Sequence, residues 1–178
     1  MRSLHESPRF PFPGPGPAAA HSFTVQMMHV TPEGIGQLAG TVVIEDSAAG
    51  ARLTPDLRGL PPGPHGFHLH QNGDCGPTVV DGKATPAGAA GGHWDPTGHG
   101  HHLGPQLGHA VGKGHQGDLP RLEVSADGSV HGAVVAPRLK ASDFKGRSLM
   151  IHAGGDNYSD TPAPLGGGGA RIVCGVVH

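Results

Sequence analysis

The chain has 178 residues, a formal net charge of −2 and only 15% charged residues. That length accommodates one domain with a real core. The charge balance lacks the basic excess of a nucleic-acid binder, and no apolar run approaches the ~20 residues that span a bilayer.

Residues 1–21 read as a disordered Pro/Gly-rich tail, and 22–178 as the folded domain. The run Pro8-Arg9-Phe10-Pro11-Phe12-Pro13-Gly14-Pro15-Gly16-Pro17 builds neither helix nor interior strand. No apolar stretch precedes Ala18-Ala19-Ala20, so no intact secretory signal is visible. Strands are predicted over 23–30, where Phe23, Val25 and Met27 alternate, over 38–45, rich in β-branched residues, and over 51–57. The breaker run Gly59-Leu60-Pro61-Pro62-Gly63-Pro64 separates these from a strand over 66–70. Segments 121–126 and 130–136 flank Asp127-Gly128, a hairpin signal. Strands over 148–153 and 171–177 complete the set. The pattern is all-β: a Greek-key β-sandwich or flattened barrel of about eight antiparallel strands. Two long segments, 71–119 and 154–170, fall outside the strand rhythm and are expected to be functional loops. Gly166-Gly167-Gly168-Gly169, just before Arg171, lets backbone approach a site closely.

Histidine is in large excess, with fifteen residues. His5, His21 and His178 are read as scattered surface residues. In an extended 66–70 strand, His68 and His70 share one face while Phe67 and Leu69 share the other. One face grips a metal and the opposite face packs into a core. His93, His102, His115, Asp118 and His152 follow. Imidazole suits copper and zinc, and a carboxylate oxygen completes a zinc tetrahedron. Seven such ligands are too many for one ion and about right for two that share one. Cys75 and Cys174 stand far apart and outside any CxxC pair, leaving one long-range disulfide or two buried thiols.

The motifs GFHLHQNGDC (66–75), AGGHWDP (90–96), HLGP (102–105), GHQGDLP (114–120), APRL (136–139), SLMIHAGGDNYSD (148–160) and PLGGGGARIVCGV (164–176) occur in this order. Together they resemble the copper/zinc superoxide dismutases, bacterial periplasmic branch, over about residues 23–178. That family has the sandwich architecture. The resemblance implies one copper per subunit held by His68, His70, His93 and His152, and one zinc held by His93, His102, His115 and Asp118. His93 is the shared bridge and takes part in catalysis. Asp156 matches the carboxylate linking a copper-ligand to a zinc-ligand histidine, and Arg171 matches the catalytic arginine beside the copper. Cys75 and Cys174 match the intrasubunit disulfide, which implies an oxidising, periplasmic or otherwise extracytoplasmic compartment. The implied substrate is the superoxide anion, the implied partners include neither nucleic acid nor membrane, and the implied state is monomer or homodimer.

The stretch between His102 and His115 is a few residues longer than the family usually allows. His99, His101 and His109 are therefore rivals on the zinc side, with register favouring His102 and His115. Trp94 reads as loop packing rather than an interface anchor, and Asp74 and Asp143 as turn residues. Lys83 reads equally as a solvated lysine or a source of positive field. Two other functional classes compete with the dismutase: a non-catalytic copper/zinc carrier and a β-sandwich binding module. Neither explains why bridge, ligands and arginine are all retained.

Overall fold

Apolar alternation organises the computed structural model, which describes residues 20–178. The tail expected over 1–21 lies outside the described residues except for Ala20 and His21. Strands β1 (Ser22–Thr31), β2 (Gly34–Ser47) and β3 (Gly50–Leu57) form an antiparallel meander. Their inward positions, Val25, Met27, Val42, Ile44, Leu53 and Leu57, are buried in one core. The chain then crosses through β4 (Gly63–His65) to β5 (Phe67–His70). Later come β8 (Leu122–Val124), β9 (Val134–Ala136), β10 (Ser148–His152) and β11 (Arg171–Val176). The main sheet has seven strands in the order β5-β10-β11-β1-β2-β3-β9, and β4 pairs with β8 separately. Leu122 and Val124 of β8 join the same core, together with Leu119 and Phe144. All the strand pairings are antiparallel, as the Greek-key sandwich expected from the sequence requires.

Three local expectations change. The predicted 66–70 strand is part of a longer extended run broken at Gly66, with β4 on one pair and β5 on the sheet. The Asp127-Gly128 turn forms, closed by Gly128 N–H donating to the Ser125 carbonyl (2.9 Å), but its flanks do not pair as a hairpin. Val130 bridges Leu57 instead, β8 pairs with β4 and β9 pairs with β3. Burial beside the existing sheet outweighs the local turn. The 71–119 segment is also not featureless. It carries a hairpin, β6 (Thr78–Val80) and β7 (Lys83–Thr85), and a short helix α1 (Pro105–Val111) between His102 and His115.

What this architecture does for function is decided at β5. Phe67 and Leu69 enter the core, each such side chain contributing roughly 1.5–3 kcal/mol by burial. His68 and His70 face outward and yet are 0% and 1% exposed, because the 71–119 segment covers them. That segment pairs with the outer edge of β5. Leu69 N–H donates to the Gly117 carbonyl (2.8 Å), Trp94 N–H to the Leu69 carbonyl (2.7 Å) and Gln71 N–H to the Gly92 carbonyl (3.0 Å). An edge that would otherwise expose unpaired backbone is thereby closed. Trp94 packs against the core and lies under the Arg147 guanidinium, 4.2 Å from its ring centre. Asp74 accepts from Gly76 N–H and Asp143 from Lys140 N–H, both 2.8 Å, as turn residues do.

A disulfide between Cys75 and Cys174 fastens the start of the same segment to β11 across 99 residues of sequence. Converting both cysteines to alanine is expected to lower the unfolding free energy by up to about 4–5 kcal/mol, the chain-entropy ceiling for so large a loop. Denaturant titration measures this. A loss below about 1 kcal/mol would mean that edge pairing and packing hold the segment unaided.

Candidate metal centre

Opposed residues in an antiparallel pair point to the same face. The loop bridges on β5 set His70 opposite His93 and His68 opposite Asp118. Strand β10 brings His152 alongside, paired with Arg171 of β11. The seven side chains expected as ligands thus converge although 84 positions of sequence separate His68 from His152. His68, His70, His93, His102, Asp118 and His152 are all buried, and His115 is 9% exposed. Neighbouring ring centres lie 3.9 Å apart for His68 and His93, 5.0 Å for His70 and His93, and 5.4 Å for His93 and His115.

Outlying oxygens fix which nitrogen carries a proton on four of the rings. Carbonyl and carboxylate oxygens only accept, so the nitrogen facing them must donate. His70 Nδ1–H donates to the Gly91 carbonyl (2.8 Å) and His152 Nδ1–H to the Gly169 carbonyl (3.0 Å). His68 Nε2–H and His102 Nε2–H donate to the two oxygens of Asp156, at 2.8 and 2.7 Å. The opposite nitrogens, His68 Nδ1, His70 Nε2, His102 Nδ1 and His152 Nε2, are buried without a hydrogen-bond partner, as are His93 Nε2, His115 Nδ1 and Asp118 Oδ2. Orphaned buried polar atoms are costly. Here one from each of the seven residues belongs to a single constellation. His102 Nδ1 approaches Asp118 Oδ1 to 2.9 Å without the alignment of a hydrogen bond, as donors aimed at a common third point do.

Two groups of donors stand within 4.8 Å of one another: His68, His70, His93 and His152; and His68, His93, His102 and Asp118. His115 flanks the second, its Nδ1 3.5 Å from Asp118 Oδ1. His93 belongs to both, with Nε2 free and Nδ1 3.0 Å from Asp118 Oδ1. An all-imidazole group suits copper, and imidazoles with one carboxylate suit zinc. The donor set fits both ions.

Burial holds His68, His70 and His93 below the ordinary histidine pKa, and His152 at about 4. These rings are neutral near pH 7, the form a metal requires. His102 differs. Burial opposes its charge, but the Asp118 and Asp156 carboxylates outweigh burial and push it up to about 9. Burial would likewise raise Asp118 and Asp156, yet their histidine partners hold both well below the usual carboxylate range. The two carboxylates thus favour positive charge on this side.

The rival histidines stand apart. His99 is half-buried, whereas His101 and His109 are exposed, and the His101 side chain is 74% exposed beside Asp160 at 3.7 Å. Arg171 is half-buried and donates to the Ala87 and Gly91 carbonyls, both at 2.6 Å. Burial lowers its pKa, but a guanidinium stays charged in proteins. Gly91 is thus a shared anchor for His70 and Arg171. No sequence signal marks the Gly91, Ala87 and Gly169 carbonyls, since any residue supplies one.

The glycine run does carry a signal. A Cβ at Gly166 would lie 2.9 Å from His102 Nε2 and closer still to Asp156, and its φ of +72° also disfavours a side chain. Gly166→Ala is expected to displace Asp156 and weaken metal uptake on the His102 side about 10–100-fold, as loss of an outer hydrogen-bond partner does. Calorimetric zinc titration of the metal-free variant checks this. Unchanged affinity would show that the loop yields without moving Asp156.

The family model described as copper/zinc superoxide dismutase matches residues 38–177. Superoxide dismutase [Cu-Zn] of Brucella abortus biovar 1 (strain 9-941) is 54% identical over 163 residues, 91% of either chain. The structure of the Cu/Zn superoxide dismutase from Brucella abortus superposes with a TM-score of 0.84 at 53% identity, over 89% of this chain and all of that one. The solution structure of the monomeric enzyme from Salmonella enterica does so with 0.78 at 53% identity and the same coverage. With its fold, its two donor groups and these likenesses in agreement, the chain belongs to the copper/zinc superoxide dismutase family.

Proposed function

We infer that the protein is a superoxide dismutase, converting two superoxide anions and two protons to dioxygen and hydrogen peroxide. The observation that carries this reading is the set of orphaned donor atoms in two groups joined through His93. Copper is assigned to His68, His70, His93 and His152, and zinc to His93, His102, His115 and Asp118, one of each per subunit. Distance alone also groups His68 with the zinc side. However, its Nε2 is spent on Asp156, and its one free nitrogen completes the four-imidazole set. His115 then supplies the third imidazole beside Asp118.

Bound copper supplies electron transfer by alternating between two oxidation states, while bound zinc is redox-silent and structural. The chain's own groups do the rest. His93 Nε2, set among the copper-side rings, is the atom that can hold a proton and deliver it to the reduced product. Asp156 locks the orientation of His68 and His102 together, so neither ring turns independently. Arg171 keeps a fixed positive charge beside His70 and His152. Two backbone carbonyls hold it in place, and its remaining donors are left to bind a small anion. A fixed charge in a cleft focuses the field and raises the on-rate of an oppositely charged substrate. Every assigned ligand comes from one chain, so the activity is complete in a monomer and compatible with a homodimer. The disulfide, together with relatives that are bacterial, supports a periplasmic or otherwise extracytoplasmic location. The division into a tail over 1–21 and a catalytic domain over 22–178 belongs to the same reading.

Two outcomes test the assignments. His102→Ala and Asp118→Ala are each expected to lower zinc content in elemental analysis, whereas replacing His99, His101 and His109 together leaves one zinc per chain. Zinc lost from the triple variant but kept by His102→Ala would reverse the assignment. Arg171→Ile is expected to keep both metals and lower the second-order rate about tenfold, the effect of ~1.4 kcal/mol. Its rate should fall less with ionic strength than the wild type's, because salt screens steering over a Debye length of about 8–10 Å. Pulse radiolysis at matched copper content decides this, and equal rates would remove Arg171 from the mechanism.

A further inference from the structure

Asp156 is held by more than the two histidines it bridges. Tyr158 N–H donates to Asp156 Oδ1 (2.8 Å), so the carboxylate is aimed from its own turn. Tyr158 itself adopts a left-handed backbone, φ +59°, a conformation that disfavours a non-glycine residue and persists only where surroundings impose it. Those surroundings are two other segments. The Tyr158 ring lies directly on Gly104, where an added Cβ would stand 2.5 Å from ring carbons. Its hydroxyl accepts from Arg121 N–H (3.0 Å). The Arg121 guanidinium in turn donates to the Asp156 carbonyl (3.2 Å) and stands 6.0 Å from the Tyr158 ring centre.

Gly104 follows His102 by two residues, and Arg121 follows Asp118 by three. One residue thus touches three stretches of chain: its ring the one carrying His102, its hydroxyl the one leaving Asp118, and its backbone N–H the one carrying Asp156. Only the contacts on Asp156 bear on the four-imidazole group, at one remove, through the bond that Asp156 accepts from His68. We propose that Tyr158 is a positioning residue for the zinc side, clamping the segments that carry His102, Asp118 and Asp156 so that their donors keep one geometry. This rests on the zinc assignment above. Zinc binding draws on that preorganisation, because segments already in place lose less conformational freedom when the ion arrives. The hydroxyl and the ring have separable parts, the hydroxyl tying down the Asp118 exit and the ring fixing the chain as it leaves His102.

The test uses the full chain as wild type, Tyr158→Phe and Tyr158→Leu. It reads zinc loss to a chelator, the visible spectrum with cobalt(II) in place of zinc, and the unfolding midpoint of the metal-free protein. Tyr158→Phe is expected to release zinc about tenfold faster, the lower end of what loss of an outer-shell partner costs. It should also shift the cobalt band and leave the metal-free midpoint near that of the wild type. Tyr158→Leu should release zinc faster still. An unchanged release rate and cobalt band in Tyr158→Phe would overturn the proposal. So would faster release that merely tracks a lower metal-free midpoint with an unmoved cobalt band, the mark of a purely structural residue. Failure of the underlying assignment looks different: His102→Ala would retain zinc and the wild-type cobalt spectrum, and the proposal would fall with it.

Discussion

An imidazole that donates from one nitrogen to a fixed oxygen has only the other nitrogen left for a metal, and four such hydrogen bonds set the direction of this site. Gly91 and Gly169 carbonyls take the protons of His70 and His152, and Asp156 takes those of His68 and His102. The free nitrogens then all point inward. Without these acceptors each ring would have a choice of tautomer and of rotation, and the geometry that separates an all-imidazole group from a mixed one would be lost. His93 is the exception that links the groups, because it has a nitrogen on either side.

Holding those oxygens in place is the work of the rest of the fold. Asp156 and the Gly169 carbonyl come from the 154–170 loop, and the Gly91 carbonyl from the loop that closes the edge of β5. The disulfide ties that second loop to β11, and Arg171 of the same strand ties it again beyond the β6–β7 hairpin through Ala87 and Gly91. Met150 connects the two regions physically. Its register partners are His68 on one side and Cys174 on the other, and it is buried with both cysteines, Ala87 and Ala90. A small second core therefore lies on the outer face of the sheet beside the metal centre.

Much of this was legible from sequence, for identifiable reasons. Two-residue spacing put His68 and His70 on one face because extended chain permits nothing else, and the alternation of Val25 and Met27 marked the core. The side chains that converge were readable because the motifs come in one order. Local turn chemistry misled at Asp127-Gly128, where the turn formed but Val130 found its partner in Leu57. It would have helped at Asp81-Gly82, where φ values of 51° and 73° make the hairpin that joins β6 to β7. Helix α1 spans only seven residues, too few for a period to declare itself. Gly91, Ala87 and Gly169 act through carbonyls that every residue possesses, so only the folded chain reveals their part.

The direct test of the central claim is the protonation of each ring with both sites filled by a diamagnetic ion such as zinc, read by nitrogen-15 NMR of the labelled protein. The account predicts N–H at Nδ1 of His70 and His152, N–H at Nε2 of His68 and His102, and no N–H on His93. A proton on His93 in that state, or one on Nδ1 of His68, would contradict it.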